Sequence, residues 1–325
     1  MPIPLILPSS STASGTTRAT IRERLAETLG YFASGTVTTL AASLEAERYI
    51  LSSSMRSDGT PPEHFDGLFA YIRDGAQAGA QRRLVNGGWD GPVGSLMVDY
   101  PYDAALTAGT GFELSVLPAE AYQGLSGLND LINLGLEQLP VIDKVSVTVT
   151  ATSSVTDTQY DLSGYAWPIK SVRAVYYSRT STTSDSRLMA PHTWVFDQDA
   201  ESPMLSFVGG PPASVGDAFE VEVLRPANTR IRQSGAWGDA TTGMTADDDE
   251  CLYDALTVVN MARPIALERL AHLYPRGSKE RMQIEGEAEG AHVTAAFSKF
   301  YGGFRSNGVQ KVGAGSGSQR FWDRV

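Results

Sequence analysis

The sequence predicts an α+β protein. Helical segments in the N-terminal, central and C-terminal parts of the chain combine with a small β-barrel or meander module and a β-sandwich module. Three observations predict this. Leu128, Leu131, Ile132, Leu134, Leu136 and Leu139 recur at helical spacing until Pro140 stops the pattern. Val141, Val145, Val147 and Val149 then fall on alternate positions with polar residues between them, the period of a strand. On both sides of this junction, short apolar runs are separated by Gly, Asp and Asn turns.

Taken in order, residues 1–17 carry Pro2, Pro4 and Pro8 among Ser and Thr without a period. They read as an extended N-terminal arm, either a bare tail or a segment lying on a neighbouring subunit. Residues 18–57 read as helical. Thr20 serves as cap with Glu23 three residues on, and Leu25, Leu29 and Phe32 share a face. A second pattern runs through Leu40, Leu44, Glu47, Leu51 and Met55, weakened by Gly30, Gly35 and the Thr36–Thr39 run.

Residues 58–118 read as the small β-module. Its runs are Leu68–Ile72, Gln81–Val85, Ser95–Val98 and Phe112–Val116, with hairpin-type turns at Asp74-Gly75 and Asn86-Gly87. The central helix occupies 119–142. Residues 143–232 read as the sandwich, with runs at Val145–Thr150, Thr158–Leu162, Ile169–Tyr177, Thr193–Phe196, Leu205–Phe207 and Ala218–Leu224. Residues 233–246 read as a Gly-rich loop.

Residues 247–301 read as C-terminal helices. Thr245 or Asp247 caps the first, with the acidic run Asp247–Glu250 on its opening turn. Pro264 is expected to kink it, and the stretch Tyr274–Ser278 to break it before a second helix from Glu280 to Tyr301. Residues 302–325 read as a flexible basic tail. Arg305, Lys311, Arg320 and Arg324 against Asp323 leave it a net charge of +3, and Phe321 and Trp322 stand near its end.

The bulk numbers bound the function. A chain of 325 residues has room for about two domains. Apolar content of 42% with 19% charged residues is that of a chain that buries a core. A net charge of −11 argues against a broad face that grips nucleic acid, though not against an acidic surface past which it slides. Cys251 is the single cysteine, so neither an intrachain disulfide nor a cysteine-based zinc site is available. The start lacks a basic segment before its short apolar run, so no signal peptide is expected, and no apolar stretch is long enough to span a membrane.

Motifs for chemistry are missing from the sequence. His64, His192, His272 and His292 do not fall in metal-binding spacing. There is no GxSxG elbow and no phosphate-binding GxxxxGK[ST] loop, and Gly313–Gly317 has neither the strand nor the helix of a dinucleotide fingerprint. Asp247–Glu250 lacks the alternation of a calcium loop, Asp197 and Asp199 complete no site, and Cys251 reads as a small core residue. No catalytic, cofactor-binding or metal residue is assigned, and the chain is not read as an enzyme.

Several local patterns together resemble the head-to-tail adaptor (connector, or neck) proteins of tailed bacteriophages. Tyr71–Arg83, with its polar turn and arginine pair, is followed by Gly94-Ser95-Leu96-Met97-Val98 and Ala108–Leu114. Together these resemble the small β-module of some of those proteins. Leu128–Leu136 resembles their helix before the sheet. Gln159–Leu162, Ile169–Val172, Trp194, Leu205–Phe207 and Phe219–Val223, then the helix from Asp247 to Leu270, complete the likeness over most of residues 65–270.

The resemblance implies a structural virion protein that forms a homo-oligomeric ring at the neck, commonly of twelve copies, assembled in the host cytoplasm. Its implied partners are further copies of itself, the portal protein above and a stopper or tail terminator below, with DNA passing through the lumen unread during ejection. In the family the C-terminal segment often docks into the portal. That makes Arg320, Phe321, Trp322 and Arg324 the portal-docking candidates, an aromatic and arginine cluster of the kind found at interface hot spots. Two alternatives stand beside this reading. One is another virion β-protein: a tail terminator, tail tube or minor head protein. The other is a glycan-binding module using Trp89, Trp167, Trp194 or Trp237.

Overall fold

The computed structural model describes residues 5–6, 15–38, 46–59, 61–148, 159–165, 167–178, 187–198, 202–208 and 218–301. Among them are four α-helices and several largely antiparallel sheets, so the α+β class is the one observed. The chain divides into two compact units, residues 18–135 with 258–296 and residues 1–17 with 136–257 and 297–325. No helix of the described residues is long and apolar enough to cross a membrane.

The unit containing residues 18–135 opens with α1 (Arg18–Thr28). It starts two residues before the expected Thr20 cap, and Gly30, at φ 118°, ends it. The expected helical segment 18–57 stops there. Phe32–Thr36 forms β3 and Tyr49–Leu51 forms β4, while the Leu40 and Leu44 positions lie outside the described residues. Tertiary pairing overrides the leucine spacing, because β3 and β4 gain partners distant in sequence. Gly35 is needed for this: a Cβ there would stand 2.8 Å from the Phe112 ring.

The remaining strands of this sheet are β5 (Phe69–Ile72), β6 (Gln81–Asp90), β7 (Ser95–Val98) and β8 (Gly111–Ser115). The order is β3-β8-β5-β6-β7-β4, a curled half-barrel. The Thr38 N–H donates to the Leu51 carbonyl at 2.8 Å, bringing the chain just after β3 to β4, the other edge. Ile50, Ile72, Leu84, Leu96, Val98, Phe112 and Leu114 fill the interior. Asn86-Gly87 is not the expected hairpin turn. β6 runs through it with a register shift between Leu84 and Trp89, and Gly87, at φ 68°, gives its N–H to the Asp66 carboxylate at 2.6 Å. This bulge lets one long strand pair with β5 at one end and β7 at the other. The turn itself is made four residues later, where Gly94 N–H closes on the Asp90 carbonyl at 2.7 Å.

α2 (Leu128–Glu137) follows β8, and its boundary with the other unit falls after Gly135. Leu128, Leu131 and Ile132 are buried, as their spacing predicts. Two further helices close the chain, α3 (Ala255–Ala271) and α4 (Lys279–Tyr301). Gly135 of α2 allows close approach to α3, since a Cβ there would lie 3.1 Å from Ala262. The acidic run does not open α3 as expected. Asp249 folds back to accept the N–H groups of Thr245 at 2.6 Å and Ala246 at 2.9 Å, and the cap is Asp254, which accepts the Thr257 N–H at 3.0 Å. Pro264 is buried within α3.

The other unit holds the sandwich. Its larger sheet contains β9 (Pro140–Thr148), β11 (Ser171–Ser178), β12 (Arg187–Leu188) and β15 (Ala218–Pro226), and β1 (Leu5–Ile6) pairs in parallel with β9. Part of the N-terminal arm therefore lies on its own chain. The smaller sheet contains β10 (Gln159–Asp161), β13 (Trp194–Asp197) and β14 (Met204–Phe207). Leu205 and Phe207 from this sheet meet Val145, Val175, Phe219, Val221 and Val223 from the larger one in a single core.

A third sheet joins β2 (Thr16–Thr17), β16 (Arg230–Gln233), β17 (Ala236–Asp239) and β18 (Glu250–Cys251). The expected loop 233–246 therefore begins as a hairpin. Ser234 (φ 50°) and Gly235 (φ 83°) form its two-residue turn, with both residues in the left-handed region. The outer edge of β9 is partly closed by side chains. The Lys144 N–H is taken by the Asp143 carboxylate at 2.8 Å, and the Tyr165 hydroxyl reaches the Ser146 carbonyl at 3.5 Å.

In the unit built on residues 18–135, Arg22 of α1 is buried, 1% exposed, and forks onto Glu113 of β8 at 2.8 and 3.0 Å. Its third nitrogen donates to Asn129 of α2 at 3.2 Å, and its guanidinium lies 4.7 Å from the Tyr71 ring centroid. Replacing Arg22 by Ala leaves the buried Glu113 carboxylate with the more distant Arg73, at 3.9 Å, as its cation and should lower stability by about 3 kcal/mol, read as a reduced urea midpoint. The double replacement Arg22→Met with Glu113→Leu should recover most of that loss.

Candidate functional site

Arg320, Phe321, Trp322 and Arg324 lie outside the described residues, so the portal-docking candidates have no geometry to report. The histidines and the cysteine are dispersed. His292 bonds Glu268 at 2.8 Å, and His64 packs edge-on against Tyr31 and Phe65. No group of three His, Cys, Asp or Glu among the described residues is placed to hold a metal ion. Burial pushes the Cys251 thiol up to about 12, which keeps it protonated at neutral pH. Two of the tryptophans offered for glycan stacking are core residues. Trp89 is buried and donates to the Met55 carbonyl at 3.2 Å, and Trp167 is buried and donates to Asp239 at 3.3 Å.

Two arrangements concentrate polar chemistry. The first is structural and lies in the sandwich unit. Arg225 of β15, 0% exposed, bonds Asp143 of β9 at 3.1 Å and Asp239 of β17 at 2.9 Å. Its guanidinium lies 4.2 Å from the centroid of the Trp167 ring, a cation–π contact shielded from water. Arg230 adds a second cation to Asp239 at 3.2 Å.

The second is open to solvent and sits on the half-barrel. Arg82, Asp99, Tyr100, Tyr122 and Gln123 line a shallow cleft of about 330 Å³. Three segments supply them: the start of β6, the residues after β7, and the two-residue turn in which Tyr122 bridges Leu125. Arg82 is fixed by bonds to the backbone carbonyls of Pro101 at 3.2 Å and Gln81 at 2.8 Å. Its guanidinium stands 5.9 Å from the Tyr100 ring centroid and 5.1 Å from that of Tyr102. Asp99 accepts the Tyr122 hydroxyl and the Arg83 N–H, each at 3.2 Å.

Tyr100 is 68% exposed, an unusual setting for a large ring, while Tyr102 is buried. The Tyr102 hydroxyl has no hydrogen-bond partner among the described residues, and burial pushes its pKa well above the usual range for a phenol. Gln123 holds a left-handed backbone at φ 48°, which puts a long amide side chain where Asn or Gly is usual. No sequence motif joins these residues, and the cleft did not emerge from the sequence.

Comparisons with protein-family models, with curated proteins and with solved structures return no match.

The Arg225 cluster has a definite pH dependence. Partial burial pushes the Asp239 carboxyl up, but hydrogen bonding from Arg225, the charge of Arg225 and the bond from Trp167 outweigh it and hold the carboxyl below its usual range. Its contribution to stability is therefore present above about pH 4 and is lost as pH falls through the lowered value. The Asp239 side chain is 52% exposed, so solvent screening should keep that contribution to about 1 kcal/mol or less. Asp239→Asn should lower the melting temperature at pH 7. The gap to the parent protein should narrow as pH falls below about 4.

Proposed function

We propose that this chain is a structural protein of the neck of a tailed phage. In this reading, copies assemble into a ring below the portal and leave a channel for DNA. The observation that carries the reading is the surface of α4. Over its described length this 23-residue helix buries Ala288, Ala291 and Ala295 along one narrow seam. The opposite side exposes Met282 at 57% and Val293 at 56%, with Gly286 and Gly290 between them and nothing within 4 Å of a Cβ built on either.

Glu280, Glu285, Glu287 and Glu289 are exposed around this bare strip. A long helix so lightly covered suits contact with neighbouring copies. Its carboxylates, on a chain of net charge −11, suit a surface that repels phosphate and lets DNA slide.

A tail-tube or terminator role is the second reading. Helices of 17 and 23 residues count against a tube built mainly of strands. Native mass spectrometry and negative-stain imaging with the cognate portal separate the two. A closed ring seated on the portal supports the neck, and stacked open-ended tubes support the alternative.

Deleting Ser318–Val325 should leave the circular-dichroism spectrum and melting temperature unchanged and weaken portal binding at least tenfold. Portal binding at full strength by the truncated chain would remove Arg320, Phe321, Trp322 and Arg324 as anchors.

A further inference from the structure

We infer that the cleft of Arg82, Asp99, Tyr100, Tyr122 and Gln123 is a binding subsite for a neutral sugar ring. This subsite does not depend on the neck assignment, and elimination among ligand chemistries points to a sugar.

A purely apolar ligand would strand Asp99, Arg82 and the Gln123 amide, all of which line the cleft. An anion would meet the Asp99 carboxylate, which lines the same cleft. A nucleotide would bring phosphates to a chain of net charge −11. A pyranose suits what remains. Its C–H face lies against an exposed phenol ring, and its hydroxyls both donate and accept.

Tyr100 supplies the ring, with the Arg82 guanidinium 5.9 Å from its centroid. Asp99 has lone pairs beyond those taken by Tyr122 and Arg83. Arg82 has five N–H groups, and three bonds to carbonyls leave others to donate. The Gln123 amide can donate and accept together. A volume of about 330 Å³ at the surface holds one ring and leaves the rest of a glycan in solvent. Two features keep the lining ready-made. The left-handed Gln123 backbone fixes the tip of the turn, and the Asp99 bond orients the Tyr122 ring.

Saturation-transfer NMR on the full chain tests this, using methyl α-glucoside, methyl β-galactoside and N-acetylglucosamine as probes and adenosine as control. The expected result is transfer to the ring protons of at least one sugar, with a dissociation constant on the order of 1 mM, as a single ring allows. Tyr100→Ala should weaken that binding at least tenfold while Tyr100→Phe retains it. Gln123→Asn, which preserves the turn, should weaken it about threefold. Tyr100 is exposed, so its variants should keep the parent melting temperature. Transfer to none of the sugars, transfer to adenosine alone, or sugar binding unchanged in a folded Tyr100→Ala variant would each overturn the inference.

Discussion

An arginine guanidinium cannot shed its charge inside a protein, so burying one commits the surrounding chain to supplying carboxylates at fixed places. Each unit here is built around such a commitment. Arg22 and Arg225 rank among the largest fully buried side chains of the molecule. Desolvation offsets most of what their ion pairs gain, so the pairs do more to decide which elements meet than to add stability. Glu113 must face α1, and a one-residue slip of β8 would turn it to the other side of the half-barrel. Asp143 and Asp239 reach Arg225 from β9 and β17, and so tie the sandwich sheet to the hairpin that follows it.

Much of this architecture was legible where a local pattern and its tertiary partner agree. Ser95–Val98, Met204–Phe207 and the alternation of Phe219, Val221 and Val223 are strands with one face in a core, and their sequence period says so. Leu128–Glu137 is amphipathic by itself. The misreadings lie where a local signal serves a non-local purpose. Phe32–Thr36 and Tyr49–Leu51 are strands, but leucines at helical spacing hid them, because their partners in β8 and β7 are some 45 to 80 residues away. Asn86-Gly87 has the chemistry of a hairpin turn, yet it bends one strand between two neighbours. Ser234-Gly235 is a true hairpin turn that a stretch rich in glycine disguised.

The candidate site was less legible than the fold. Its members are spread from Arg82 to Gln123, and each is commonplace in its own neighbourhood. Only the curl of the sheet brings the segment after β7 beside the start of β6 and the Tyr122 turn. What marks them is context invisible in a string of letters: an open phenol ring at Tyr100, a buried hydroxyl at Tyr102 and a left-handed glutamine. The basic aromatic tail, by contrast, is legible from composition alone, and composition carries no geometry.

Asp143 joins two of these themes. One of its oxygens holds Arg225, and the other covers the N–H of its own neighbour on the rim of β9. A strand rim treated this way does not offer its main chain to a stranger, and the lysine beside it discourages stacking further. Crowded copies of this molecule would thus be steered away from zipping their backbones into one endless ribbon. At this rim, contacts between copies would run through side chains, which can be specific, can be finite in number and can let go.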